Sequence, residues 1–360
     1  MNERSGSVSQ LCRRAARGAQ LSETECARLL QARDDEAEEV FATARALRRQ
    51  HFGDVVFLYG FVYFSTFCRN ACSFCLYRAG NPAAPRYRKD AVAVVEVCRS
   101  LVSAGVSVVD LTMGEDPELR SDAGLNVLLD LVAAVRTEVD AAIMVSPGCL
   151  PDSALSSLHA RGADWYALYQ ETHSPELYRD LRVGQAYADR VAARASARRC
   201  GLLVEDGMLT GVGDLPGDRA RSIVVMRGEG SEQVRVMSFV PQAGTPLADM
   251  QAPGDDDELL TIAVMRLAMP DRLIPASLDV RGLEGLEARI MAGANIVTSL
   301  VPPLSGLAGV SQAELGIDCG DRTVASVVPR LQALGLRAGT AAEYRDCLVS
   351  LTRRASAVGS

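Results

Sequence analysis

Three cysteines carry the strongest chemical signal in the chain. In Tyr63-Phe-Ser-Thr-Phe-Cys68-Arg-Asn-Ala-Cys72-Ser-Phe-Cys75-Leu-Tyr the thiols follow a Cys-x3-Cys-x2-Cys spacing. One loop with those gaps can wrap Cys68, Cys72 and Cys75 around three corners of a 4Fe-4S cluster, whereas a cluster used only to carry electrons takes a fourth cysteine. The other seven cysteines (Cys12, Cys26, Cys98, Cys149, Cys200, Cys319, Cys347) are scattered, so one iron is left open, and an open position is where a metal site takes its reactant. For such a cluster the natural occupant is S-adenosyl-L-methionine (SAM), chelating through its amino and carboxylate groups. A structural zinc site completed by a distant Cys or His is the alternative reading of the same three residues. Phe74, a flat side chain beside the last thiol, stands where it can shield the metal group and guide the adenine.

Other chemistries find little to work with. Lys89 is the single lysine in 360 residues. The glycine-rich stretch Gly211-Val-Gly-Asp-Leu-Pro-Gly217 therefore lacks the lysine of a phosphate-binding loop, and a Schiff-base cofactor would have to use Lys89. His51, His159 and His173 form no His-Glu-x-x-His pair for a zinc hydrolase. With 38 basic and 45 acidic residues the net charge is −7, and no basic, aromatic-interleaved segment offers a nucleic-acid groove. No apolar run approaches the roughly 20 residues of a membrane span. The first residues lack the apolar core of a secretory signal, so a cytoplasmic protein with reduced thiols is expected.

Ser22 with Glu25 forms a capping box, and a charged, Ala-rich stretch over 34–49 continues as helix. From there short β-branched or aromatic runs alternate with amphipathic segments. Strands are expected at Phe57–Ser65, Val106–Thr112, Ala142–Ser146, Trp165–Glu171, Leu202–Gly211, Val234–Val240, Leu273–Asp279 and Asn295–Leu300. Helices are expected near 90–104, 122–138, 151–161, 174–199, 217–228, 255–269, 282–292, 321–335 and 340–352. Eight βα units favour an α/β fold of the (β/α)8 TIM-barrel type, with a six-stranded partial barrel as the alternative. The reading divides the chain into an N-terminal helical extension (1–50), the barrel (51–320) and a C-terminal helical closure (321–360).

Barrel enzymes place their chemistry at the C-terminal ends of strands. Asp110, Arg235, Ser277 and Asp279 are polar positions in apolar strand patterns, where a charge is costly unless paired. They suit an amino-acid ligand, whose carboxylate needs a cation and whose ammonium groups need acceptors; Arg235 pairing with one of the aspartates is the alternative. Ser146, Thr298 and Ser299 are further pocket candidates. Gly114-Glu115 follows the second strand, and Glu171 ends the fourth with Arg182 and Arg190 after it; a surface ion pair is the bland account of those charges.

The cysteine spacing with Phe74 after the first strand is the signature of the radical SAM superfamily, and the chain is identified as resembling it. Tyr63-Phe-Ser, Asp110-Leu-Thr-Met-Gly-Glu-Asp-Pro117, Tyr169-Gln-Glu-Thr-His173, Val204-Glu-Asp-Gly-Met-Leu-Thr-Gly-Val-Gly-Asp214, Phe239-Val-Pro-Gln-Ala-Gly-Thr-Pro246, Ile274-Pro-Ala-Ser-Leu-Asp279 and Val297-Thr-Ser-Leu-Val-Pro-Pro303 resemble the methylornithine synthase family of pyrrolysine biosynthesis, related to biotin synthase and the iron-only hydrogenase maturase. The resemblance implies a 4Fe-4S cluster, SAM, and conversion of L-lysine to (3R)-3-methyl-D-ornithine through a 5′-deoxyadenosyl radical, fed by an electron donor such as flavodoxin or ferredoxin. It implies that Gly114, Glu115, Glu171, Arg182 and Arg190 contact SAM, with Ser146 beside them. It also implies that Arg235 and Ser277 hold the substrate carboxylate and Asp279 and Asp110 its amino groups. Two alternatives remain at this point. One is a relative of the biotin synthase type acting on another small amino acid or a thiol compound; the other is a non-catalytic iron–sulfur or zinc protein.

Overall fold

The computed structural model describes residues 6–309 and 317–358; residues 1–5 of the expected extension and 310–316 of the expected barrel end lie outside them. Three helices open the chain: α1 (Val8–Ala16), α2 (Glu23–Leu29) and α3 (Asp34–Phe52). The Ser22–Glu25 capping box is present, and Ser7 with Gln10 makes the same reciprocal cap on α1. That first helix was not among the expected elements, although its cap is written in the sequence.

Eight strands follow: β1 (Val55–Ser65), β2 (Val108–Met113), β3 (Ala142–Ser146), β4 (Trp165–Ala167), β5 (Leu203–Thr210), β6 (Gln233–Ser238), β7 (Pro275–Ser277) and β8 (Ile296–Leu300). Helices alternate with them: α4 (Ala91–Ser103), α5 (Asp122–Glu138), α6 (Asp152–Ala160), α7 (Pro175–Leu181), α8 (Tyr187–Arg199), α9 (Pro216–Glu229), α10 (Asp255–Ala268) and α11 (Leu286–Met291). The strands run in the order β6-β5-β4-β3-β2-β1-β8-β7, all parallel. The ring closes between β6 and β7 through Val234 N to Leu273 O (3.0 Å) and Leu273 N to Glu232 O (3.1 Å). The result is a nearly closed (β/α)8 barrel.

Side chains alternate across a strand, and one parity fills the barrel. Phe57, Tyr59, Val108, Ala142, Met144, Trp165, Ala167, Leu203, Leu273 and Ile296 form one apolar cluster, while Val56, Leu58, Val109, Ile143 and Val145 pack with the helices. Each fully buried residue of this kind contributes about 1.5–3 kcal/mol. After the barrel come α12 (Val324–Ala333), the two-residue β9 (Arg337–Ala338), which pairs with the start of β1, and α13 (Ala341–Val358). Tyr344 and Leu351 of α13 join the barrel's apolar floor, Tyr344 meeting Phe57 edge-on at 5.0 Å.

Two expectations need correction. The single helix expected over 174–199 is two, because α7 ends at Leu181 and the chain turns through Arg182–Ala186 with Gly184 at φ +74°. Ser73 of the cysteine loop takes the freed carbonyls, its N–H bonding Leu181 O (2.9 Å) and its hydroxyl Asp180 O (2.9 Å). The fourth strand stops at Ala167 rather than Glu171. There the Asp206 carboxylate replaces ladder partners, accepting from Gln170 N (2.8 Å) and Gly207 N (2.7 Å), and Glu171 enters the left-handed region at φ +70°.

Candidate functional site

The site is built at the C-terminal mouth of the barrel, beginning with the loop after β1. Arg78 donates to Cys72 O (3.1 Å), and Arg86 donates to Tyr77 O (3.0 Å) and Arg78 O (2.8 Å), so guanidinium groups replace regular structure in holding the loop's carbonyls. Gly114 lets β2 approach it: a Cβ there would lie 2.3 Å from Phe67 O and 2.8 Å from Cys68 Cβ. Arg69, exposed to solvent over half of its side chain, bonds Glu115 (Nε to Oε2, 3.0 Å). Burial alone would raise Glu115, yet Arg69, Arg120 and Arg190 hold its carboxyl below the usual range.

Cys68, Cys72 and Cys75 line one cavity with Phe74. Burial raises the Cys68 thiol and pushes Cys75 up to about 12, with the neighbouring thiols adding to the effect. Three thiolates can share so dry a place only beside compensating positive charge, which irons supply. The sulfurs do not gather within 4.8 Å of one another, as ligands of one tetrahedral zinc with bonds of about 2.3 Å must; among the described residues only His173, Asp206 and Glu229 are so gathered. That trio already holds Arg194, 3.3 Å from Asp206 and 3.0 Å from Glu229. Three thiols lining one cavity, with no fourth cysteine among its lining residues, fit a cluster with one iron left open.

Beside the thiols, Glu171 is bonded to Arg182, whose guanidinium also stands 3.7 Å from Cys72 Sγ. Burial raises Glu171, with Arg182 and Arg190 opposing it. Arg190 is anchored by the Tyr169 carbonyl (Nε 3.0 Å, Nη2 2.7 Å). The three charges are all buried, so the surface ion pair considered from sequence is not what the fold makes of them.

Deeper in the barrel, Asp110 accepts from Thr112 Oγ1 (2.5 Å), Tyr59 OH (2.6 Å) and Ser146 Oγ (2.9 Å). Arg235 does not pair with an aspartate. Its Nε donates to Glu205 Oε1 at 2.8 Å, its Nη1 reaches Thr298 Oγ1 at 3.3 Å, and the rings of Tyr59 and Tyr169 lie about 5.5 Å from it. Burial works against the Arg235 charge, but Glu205 raises it well above the ordinary value. Its Nη2 is buried without a hydrogen-bond partner. Asp279 accepts from Ser277 Oγ (3.0 Å) and Ser299 Oγ (2.6 Å) and meets Arg322 at 3.1 Å.

The cavity thus collects Cys68, Cys72, Phe74, Cys75, Asp110, Gly114, Glu115, Ser146, Glu171, Arg182, Arg190, Arg235, Asp279 and Ser299. Ser277 and Thr298 stand behind it, bonded to Asp279 and Arg235. Sequence reasoning passed over Tyr59, Tyr169, Glu205 and Arg322. Glu205 carried the signal used for Asp110, a charge within an apolar strand; Arg322 carried none, lying outside the strands.

The Radical SAM superfamily model matches residues 62–229. The 3-methylornithine synthase of Methanosarcina barkeri is 44% identical over 335 residues, covering 92% of this chain and 94% of the relative. The chain belongs to the methylornithine synthase family. A crystal structure of a methylornithine synthase superposes with a TM-score of 0.88 at 42% identity, covering 94% of this chain and 99% of that one. The FeFe hydrogenase maturase subunit HydE of Thermotoga maritima is more distant, 28% identical over 72% of this chain and 74% of its own. For a methylornithine synthase family member, the triad, Gly114-Glu115, Glu171, Arg182 and Arg190 all fall inside the matched radical SAM region, whereas Arg235, Ser277, Asp279, Thr298 and Ser299 fall beyond it. Among the described residues no helix is long and apolar enough to cross a membrane.

Proposed function

We propose that this protein isomerises L-lysine to (3R)-3-methyl-D-ornithine as a radical SAM carbon-skeleton mutase. The observation that carries the substrate reading is the unpartnered, buried Nη2 of Arg235 in a cavity that also holds the Asp110 and Asp279 carboxylates. Arg235 and Arg322 set against Glu205, Asp279 and Asp110 leave the substrate end one negative charge in excess, which matches a diamino acid carrying one net positive charge. Arg235 takes the carboxylate, steered by Glu205 and the two tyrosine rings, while Asp110 and Asp279 take the ammonium groups. Ser277 and Ser299 hold the Asp279 carboxylate still, and Thr298 does the same for Arg235.

At the other end of the cavity Cys68, Cys72 and Cys75 hold the cluster. Gly114, Glu115, Glu171, Arg182 and Arg190 surround SAM, with Phe74 against the adenine and Ser146 at the boundary with the substrate. When bound, the reduced cluster and SAM supply a 5′-deoxyadenosyl radical that takes a hydrogen from the substrate. The chain's part is to exclude water and hold the fragments until they rejoin, which the apolar floor under Tyr59 and Asp110 does. Reducing electrons come from a small low-potential carrier such as flavodoxin or ferredoxin, and the protein works in the cytoplasm.

The test is anaerobic incubation of the reconstituted protein with SAM, a strong reductant and uniformly labelled L-lysine, followed by chromatography and mass spectrometry. A labelled product of unchanged mass and altered retention is expected. Cleavage of SAM with lysine left intact would reject the substrate, and intact SAM beside a full cluster would reject the radical chemistry.

A further inference from the structure

The turn that splits the expected helix brings Gln185 onto the cysteine loop. Its Nε2 lies 3.2 Å from Cys72 Sγ, well inside N–H···S range. The orientation of the amide is decided by its other end, where Arg190 Nη1 stands 3.5 Å from Oε1. A flipped amide would set its carbonyl against the sulfur and its NH2 against a guanidinium, and both contacts would be repulsive. The backbone supports the same placement, with Gln185 N bonded to Arg182 O at 3.0 Å.

The three sulfurs are treated unequally. Cys68 receives the backbone amides of Asn70 (3.5 Å) and Glu115, and Cys75 that of Tyr77. Cys72, the buried one, receives the Gln185 amide and faces the Arg182 guanidinium. Arg182 is also tied to Glu171, so its charge is largely answered there; Gln185 is a neutral donor whose other end meets Arg190.

We infer that Gln185 tunes the reduction potential of the cluster through Cys72. Adding one electron places more negative charge on the coordinating sulfurs, and a donor aimed at a sulfur stabilises the reduced form more than the oxidised form. Gln185 thereby makes the cluster easier to reduce by a one-electron carrier. This rests on the triad holding an iron–sulfur cluster, as proposed above.

Gln185→Leu keeps the side-chain size and removes the donor. In an anaerobic redox titration followed by electron paramagnetic resonance, the reduced-to-oxidised ratio at a fixed potential is expected to fall about tenfold, a negative midpoint shift of about 59 mV for one electron. Gln185→Glu has the same length and no N–H, and is expected to shift the midpoint the same way should the leucine variant fail to load iron. In the wild-type protein exchanged into D2O, electron–nuclear double resonance of the reduced cluster should show an exchangeable deuteron that either variant loses. An unchanged midpoint in a variant with full iron and sulfide content overturns the inference. Wild-type protein that assembles no cluster overturns the functional reading instead.

Discussion

Replacing Ser146 with alanine removes one of three hydroxyls that donate to Asp110, and the structure sets both the sign and the size of the result. Burial pushes the Asp110 carboxyl up to about 6, the Thr112, Tyr59 and Ser146 hydroxyls pull it down, and the Glu205 charge pushes it up. A hydrogen bond to a charged group contributes about 1.5–3 kcal/mol, and one pKa unit is about 1.4 kcal/mol. Loss of the 2.9 Å Ser146 bond should therefore raise the Asp110 pKa by about one unit. If Asp110 receives a substrate ammonium, it must be ionised, so the acid limb of kcat/KM, which reports the free enzyme, should move from about 6 to about 7. The ionised fraction at pH 6.5 then falls from about three-quarters to about one-quarter, giving a loss of about threefold there and almost none at pH 8. The assay is the anaerobic initial rate of product formation at subsaturating L-lysine across this range. A loss that is uniform in pH, or an acid limb that moves down, would refute the reasoning. The same raised pKa acts on folding: the folded protein holds the Asp110 proton longer than the unfolded chain, so this group's contribution to stability is complete below about 4 and is lost as pH rises through about 6.

Three further outcomes are expected. Gly114→Ala must displace Phe67 or Cys68, at about 1–3 kcal/mol for overpacking, and should lower the iron bound per chain; full iron loading would contradict the close approach. Glu205→Leu and Arg235→Met each strand a buried charge and should cost about 3–5 kcal/mol, while the double variant recovers much of that in thermal unfolding; simple additivity would show the pair to be uncoupled. Tyr344→Ala opens a cavity under Phe57 and should lower stability by about 3–5 kcal/mol, while the product formed at low temperature stays unchanged; an unshifted melting transition would show that α13 does not seal the barrel.

The sequence by itself determined what depends on short spacing along the chain. The Cys68-x3-Cys72-x2-Cys75 loop is covalently local, the βα rhythm reflects side-chain periods of two and 3.6, and the inward parity that carries Tyr59, Asp110, Ser146, Arg235 and Thr298 follows from strand alternation. What only the tertiary structure decided are the pairings between groups far apart in the chain. Glu205, not an aspartate, answers Arg235 from 30 residues away, and Arg322 answers Asp279 from 43. The break at Arg182–Ala186 is likewise a tertiary outcome, since Ser73 from the cysteine loop takes the carbonyls at the end of α7 and the turn then delivers Gln185 to Cys72. Propensity favours helix over most of 174–199 but not at Gly184, and the break there is fixed by the hydrogen bonds offered by a loop about 110 residues earlier. Local rules place donors and acceptors on the right faces; which of them meet is settled only when the barrel closes and a buried charge must find its partner.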